Sequence, residues 1–431
     1  MNRPKKTTRR DLLRQSATAG AMITAGLSIA RAVYAAGSGT LRVALVGAGG
    51  RGTGAAADCL NVAKDVKLVA IADAFQDRAQ SSRKLLKQHL GEQIDVPDER
   101  IFSGLDAYQQ ALACDADLVI LAAPPGFRPL HYRAAVEAGK HVFMEKPLCV
   151  DAPGFRSILQ TNKLADQKGL RIGVGLYRRH YPAYQQGIQR IREGQIGPIK
   201  FMRCYCDMAA WGGQNRRPGI SEMEHQLRSW RCFDWLSGGR LVEAHCHELD
   251  IMDWAMGDHP LEANGMGGRQ VCKEARFAAD YDHHFDEYTY ADGTKMYSQS
   301  RAINGCWSPI TEHIHGTKGV VDLSGKIVQI NEYRQRETAN PYHLEHADLL
   351  DAIRNDKPYH EGWFGATSSF TAILGREAGY SGQVINWDEL AAKGRRLFPE
   401  KISMNDNPPM MPNEQGNYDH LVPIPGVYKP W

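Results

Sequence analysis

The residues with the clearest chemistry are three glycines and an aspartate. Gly47, Gly49 and Gly52 stand in Gly-x-Gly-x-x-Gly spacing within Gly47-Ala48-Gly49-Gly50-Arg51-Gly52, and Asp73 follows 21 residues after Gly52. In this pattern Gly47 permits a tight turn, Gly49 lets main chain approach a pyrophosphate, and Gly52 lets a helix pack closely on a sheet. The helix opened by Gly50 and Arg51 offers amide donors and a partial positive charge to phosphates. Asp73 can accept hydrogen bonds from an adenosine ribose diol and repels a 2′-phosphate. Ala74 behind it brings no compensating cation, so the pattern favours NAD over NADP. A bare glycine turn is the alternative, and the strand, turn and helix around the loop argue against it.

A second candidate is Lys146, in Gly139-Lys140-His141-Val142-Phe143-Met144-Glu145-Lys146-Pro147. It follows a strand end, at the sheet edge where doubly wound folds bind ligands. There an ammonium can hydrogen-bond a substrate hydroxyl and, with its pKa lowered, take part in proton transfer. Alone, such a lysine reads first as a solvated surface charge. Trp211, Trp230, Trp235 and Trp307 offer a stacking platform for a sugar ring, or simply core.

These residues need a scaffold. Leu41–Val46 is a continuous apolar run entering the glycine loop, and strands are also expected at 66–72, 117–122 and 140–144, with helices at 76–90 and 128–138. Strands separated by helices of this length imply parallel crossover units and a doubly wound sheet. Beyond residue 155, helices at 153–168 and 182–193 give way to strand-like alternation at 199–206, 288–290, 295–301 and 327–333. That predicts an open, mostly antiparallel sheet with helices on one side, including 343–354 and 366–381. Expected domains are residues 40–155 and 156–385, followed by an extended arm at 386–431 that is rich in Pro and Asn. Glu222-Met223-Glu224 reads as a polar helix face.

The first 35 residues read as an export signal. Thr8-Arg9-Arg10-Asp11-Leu12-Leu13 resembles the twin-arginine pattern, an Ala- and Gly-rich apolar stretch follows, and Val33-Tyr34-Ala35 looks like a cleavage site. An uncleaved amphipathic tail is the alternative. Residues 1–35 hold seven basic side chains against Asp11, so the formal +3 of the chain becomes about −3 after removal. That charge gives no footprint for nucleic acid or an anionic membrane. Nine scattered cysteines do not form a disulfide framework, and a twin-arginine substrate folds in a reducing compartment.

Taken together, the glycine loop, Ala122-Ala123-Pro124, His131 and Glu145-Lys146-Pro147 resemble the Gfo/Idh/MocA family of sugar and cyclitol oxidoreductases, over about residues 40–385. The resemblance implies an N-terminal Rossmann domain and a C-terminal α/β domain whose open sheet often makes the oligomer contact, hence a homodimer or homotetramer. It implies that Ala123, Pro124, His131 and Glu145 belong to the cofactor site and that Lys146 touches both nicotinamide ribose and substrate. Inositol-dehydrogenase-like members carry an acid, then His four residues later, then Asp three further on; here these are Glu243, His247 and Asp250. His247 would be the general base, with Glu243 orienting or polarising it. Arg178, in Tyr177-Arg178-Arg179, falls where the family commonly has basic residues near substrate. His245 departs from the pattern: on a strand, Glu243, His245 and His247 would share one face as metal ligands could. The family's hydride chemistry needs no metal, so none is expected, and His245 is assigned to the substrate with Trp211.

The expected function is NAD-dependent hydride transfer at a secondary hydroxyl of a sugar, cyclitol or glycoside. Outside the cytoplasm, with the twin-arginine route leading to the periplasm, reduced cofactor is not readily replaced. A tightly bound nicotinamide reset by a second sugar, as in the exported glucose–fructose oxidoreductase, is therefore expected. Two alternatives stand: an NAD-dependent glycosidase working by transient oxidation and elimination, against which retention of Lys146 argues, and a non-catalytic exported NAD-bearing sugar-binding protein.

Overall fold

The structure is a computed structural model that describes residues 39–431 apart from 325 and 326. The export signal expected at 1–35 lies outside the described residues. Six strands form a parallel sheet in the order β3-β2-β1-β4-β5-β6. They are β1 (Leu41–Val46), β2 (Val66–Asp73), β3 (Ile101–Ser103), β4 (Leu118–Leu121), β5 (His141–Met144) and β6 (Ile172–Val174). Helices α1 (Gly50–Val62), α2 (Gln76–Leu90), α3 (Ala107–Ala113), α4 (Arg128–Glu137) and α5 (Ala152–Lys168) make the crossovers. The strands β2 and β4 are buried almost throughout, as continuous Val, Ile, Leu and Ala runs between two helical layers should be. Edge strand β3 is only partly buried, so no continuous apolar run marks it in the sequence. The strand order reverses between β1 and β4, and a crevice opens at their carboxyl ends.

After α6 (Pro182–Arg192) the chain builds a nine-stranded sheet in the order β14-β13-β12-β11-β7-β10-β9-β8-β15. Its members are β7 (Ile199–Met208), β8 (Glu262–Gly268), β9 (His283–Thr289), β10 (Lys295–Ala302), β11 (Ile310–Gly316), β12 (Val320–Ser324), β13 (Ile327–Ile330), β14 (Tyr333–Arg336) and β15 (Ile385–Asn386). Only β7 and β10 pair in parallel; the other pairs are antiparallel. The stretch 327–333, expected as one strand, is two. Ile330 pairs with Tyr333, and Asn331 takes φ +51, the left-handed geometry a two-residue hairpin turn requires.

Helices α7 (Glu222–Arg228), α8 (Asp234–Ser237), α9 (Arg240–Met256), α10 (Pro341–Arg354), α11 (Gly362–Ser381) and α12 (Trp387–Lys393) complete the fold. α9 and α11 pack on each other and on one sheet face. Strand β10 shows the result: Met296, Ser298, Ser300 and Ala302 are buried under the helices, and the residues between them face outward. Phe201, Met266 and Phe285 are exposed on the opposite face. Residues after Lys393 hold no helix or strand beyond a single 3-10 turn at Asp419–Leu421, yet they are seated on the body of the protein. Phe398 packs against Phe127, and Tyr418 is almost fully buried. All nine cysteines are unpaired. No helix among the described residues is long and apolar enough to cross a membrane.

Candidate active site

The crevice at the ends of β1, β2 and β4 is lined by Gly47, Gly49, Asp73, Ala122, Ala123, Pro124 and His131, among others. The glycines divide their labour as the spacing implies. Gly47 has φ +94, and a Cβ there would sit 2.3 Å from the Ala123 amide nitrogen; a Cβ on Gly52 would sit 1.8 Å from the Gly47 carbonyl oxygen. At Gly49 and Gly50 a Cβ would meet nothing within 4 Å, so their main chain borders open space. This cradle fits a dinucleotide pyrophosphate: two glycines shape the loop and two leave the phosphate side bare. Asp73 Oδ2 accepts from the Ala48 amide at 2.7 Å and Oδ1 from the Phe75 amide at 2.9 Å. Each oxygen keeps acceptor capacity for a ribose hydroxyl.

Arg51 ties the loop to the Glu-Lys-Pro segment. Its Nε lies 2.9 Å from Glu145 Oε1, its Nη2 lies 3.0 Å from Asp58 Oδ2, and its guanidinium sits over the Tyr342 ring. Burial raises the Glu145 carboxyl above its usual range against the pull of Arg51 and Lys146. His131 borders the crevice between the rings of Tyr108 and Phe127, and burial drives its pKa down to about 3, so it is a neutral packing group.

The segment 243–250 is not a strand, as the metal reading required, but part of helix α9. Gly238 and Gly239 both have positive φ and swing the chain into the helix, whose first turn carries Glu243. At about 100° per residue, His247 returns to the face of Glu243 while His245 lies about 200° away. Glu243, His245 and His247 therefore cannot converge on one ion. Lys146 Nζ donates to the main-chain carbonyl of Glu243 and lies 3.9 Å from its Oε1. Burial would lower the Lys146 pKa, but Glu243, with Cys246 and Glu145, outweighs it and raises it. The lowered pKa considered for Lys146 from sequence is thus reversed: the group is a held cation. His247 goes the other way. Burial, with Lys146 and Arg178 nearby, pushes its pKa well below the usual value. Its ring meets Tyr177 edge-on at 5.0 Å, and its Nδ1 is buried without a partner.

The side chains of Arg178 and His245 are buried inside the protein. Arg178 pairs with Glu248 at 2.6 Å and with Glu312, all three side chains being buried. His245 bonds to Glu248 Oε2 at 3.0 Å and Ser298 Oγ at 2.8 Å. Cys206, His245 and Glu248 present ligand atoms within 4.8 Å of one another, the one such trio among the described residues. The Arg178 guanidinium already occupies that carboxylate, which disfavours a cation there. Asp250, on the Glu243 face, holds Arg179 through both carboxylate oxygens at 2.7–3.0 Å.

The four tryptophans do not form a platform. Trp211 carries the Arg240 guanidinium over its ring near the start of α9, Trp235 is buried in the core, and Trp307 is exposed beside Tyr205. Trp230 lines the dinucleotide crevice, with Leu227, Phe75 and Arg78. Glu222, expected on a polar face, is buried and accepts from Gln226 and Tyr418 at 2.7 and 2.6 Å. Sequence reasoning missed Tyr177 and Tyr342 beside His247 and Arg51, and also Arg128. That buried guanidinium donates to the Leu121 and Ala123 carbonyls at 2.5 and 2.8 Å, behind the strand end that borders the crevice. No periodicity distinguishes these residues.

Residues 41–176 match the NAD-binding Rossmann fold of the Gfo/Idh/MocA oxidoreductase family, and residues 188–366 match that family's C-terminal alpha/beta domain. Inositol 2-dehydrogenase of Rhizobium meliloti (strain 1021) is 26% identical over 283 residues, 65% of this chain and 75% of that protein. The 2,7-anhydro-N-acetylneuraminate hydratase of Mediterraneibacter gnavus is 26% identical over 210 residues, 48% of this chain and 51% of that protein, about half its length. Apo scyllo-inositol dehydrogenase from Lactobacillus casei superposes with a TM-score of 0.62 at 20% identity, covering 81% of this chain and 98% of that one. At that identity the likeness is one of fold.

Proposed function

Because the chain belongs to the Gfo/Idh/MocA family of NAD-binding oxidoreductases, carrying both of its domains in order, we propose that it transfers hydride at a secondary hydroxyl of a sugar, cyclitol or glycoside. The observation that carries this reading is the pairing of Lys146 and His247. A cation held by the Glu243 carbonyl and a neutral imidazole one turn along the same helix face stand in opposite protonation states. Bound NAD supplies the hydride acceptor. Lys146 then donates to the substrate oxygen and stabilises negative charge on it, and His247 takes the hydroxyl proton. Glu243 acts chiefly on Lys146, anchoring its ammonium, rather than on His247. Inositol 2-dehydrogenase among the relatives supports a polyhydroxylated ring as substrate.

In this reading the chain is exported by the twin-arginine route to the periplasm, keeps its nicotinamide through catalysis, and is reset by a second sugar in ping-pong fashion. The exposed Phe201, Met266 and Phe285 on the open sheet support a homo-oligomer through that face. The relative named a hydratase favours a second reading, transient oxidation of a glycoside with no net redox change. One experiment separates the two. Purified protein is denatured and the released small molecule identified by mass spectrometry, and intact protein is incubated with deuterated sugars and glycosides. Released NAD and label transfer between sugars support the main reading. Cleavage of glycosides without net redox favours the second, and the absence of both label exchange and cleavage overturns catalysis.

A further inference from the structure

The end of the crevice beyond Asp73 is closed by residues far away in sequence. Leu227 and Trp230, from α7 and the turn after it, line the same cavity as Asp73, Phe75 and Arg78. The fingerprint assigns Asp73 to the adenosine ribose, so this is the adenosine end. The α7 segment is pinned there. The Arg228 guanidinium lies 3.8 Å above the Phe75 ring and 3.2 Å from Asp77, and Arg78 donates to the Arg228 carbonyl at 3.3 Å.

The C-terminal segment holds both sides of this wall. On one side, the Leu397 and Phe398 amides donate to Asp151 Oδ2 at 2.7 and 3.0 Å, and Phe398 packs edge-on against Phe127, itself a lining residue, at 4.8 Å. On the other, Tyr418 donates to the buried Glu222 of α7 at 2.6 Å, and Gln226 donates to the Met410 carbonyl. Phe75, Phe127, Leu227 and Tyr418 belong to one apolar cluster, with Phe398 and Met410 packed on it.

We propose that Trp230 and Leu227 form an apolar wall for the adenosine of the bound dinucleotide, and that residues 397–418 are a strap holding this wall closed and setting the rate of cofactor release. The proposal deepens the retained-cofactor reading and rests on it for its purpose. An aromatic face is the surface on which a nucleobase stacks, and a strap fixed to both sides resists the separation that release requires.

The test is the dissociation rate of NADH, followed by its fluorescence on chase with excess NAD, in the full-length protein. Trp230→Ala is expected to release NADH about tenfold faster or more. Tyr418→Phe, which keeps the ring and removes only the donor to Glu222, is expected to release it several-fold faster. Val427→Ala, at an exposed point beyond the strap, serves as control and leaves the rate unchanged. Thermal midpoints of the cofactor-free proteins guard against misfolding, and Trp230→Phe replaces the alanine variant if that one does not fold. Unchanged rates in both the Trp230 and Tyr418 variants overturn the proposal. Fast release by the unsubstituted protein overturns cofactor retention instead, while a further acceleration in the variants still supports the wall.

Discussion

The ammonium of Lys146 is bonded to the main-chain carbonyl of Glu243, which joins the end of a Rossmann strand to the first turn of a helix in the other domain. The lysine is thereby aimed by backbone rather than by a mobile side chain. Lys146→Met is expected to lower single-turnover reduction of bound NAD by about 10²–10³-fold. NAD content of the purified variant, read by mass spectrometry, should stay near that of the parent. A variant that turns over normally removes Lys146 from the reaction.

Gly49→Ala and Gly52→Ala should fail in different ways. A methyl at Gly49 enters open space and leaves the empty fold intact, whereas at Gly52 it strikes the Gly47 carbonyl at 1.8 Å. Calorimetric titration with NAD and thermal melting of cofactor-free protein separate them. The first variant loses affinity with an unchanged melting temperature, and the second loses both.

Arg178→Met is expected to destabilise the protein by about 3 kcal/mol, because Glu248 and Glu312 are left buried without their cation. Denaturant titration measures this. A stable variant whose only defect is a raised KM would restore the substrate role assigned from sequence.

Buried imidazoles set the acid limb of stability. Burial pushes His346 down to about 3, and both its ring nitrogens lack partners. A histidine lowered in the folded state is protonated first in the unfolded state, so stability falls as pH drops below about 6.5. At pH 5 this one group costs about 2 kcal/mol. His346→Leu is therefore expected to narrow the difference in melting temperature between pH 8 and pH 5. His180 has the opposite sign. Held between Asp348 and Glu361, its pKa rises to about 10, so its contribution is full below about pH 6.5 and is lost progressively as pH climbs from there to about 10. An equal or wider gap in the His346 variant contradicts the assignment.

The parallel sheet was legible because β1, β2, β4 and β5 are apolar runs bounded by glycine, proline or charge. Glu243 and His247 were legible through family spacing, but the helix carrying them was not: Ala244-His245-Cys246 alternates polar and apolar as a strand does. Only tertiary burial on two faces resolves that ambiguity in favour of α9. Arg178 and His245, assigned to the substrate from sequence, turn out to be buried and paired within the protein. Basic and imidazole side chains near a motif suggest ligand contacts, whereas here Arg178 pairs with Glu248 and Glu312, and His245 is hydrogen-bonded to Glu248 and Ser298. Tyr418 gave no signal and Trp230 was marked only for a sugar platform, since their place at the adenosine end depends on segments that meet only in three dimensions.

The wall of the adenosine end joins residues 75, 127 and 227–230, with support from residues 397–418. A nascent chain that has finished only its Rossmann strands has the phosphate loop but no closed cavity. In the proposed arrangement, closure of the cavity waits until the last tenth of the polypeptide has been made and seated. On that proposal, a nicotinamide found with the purified protein would certify that its folding had been completed.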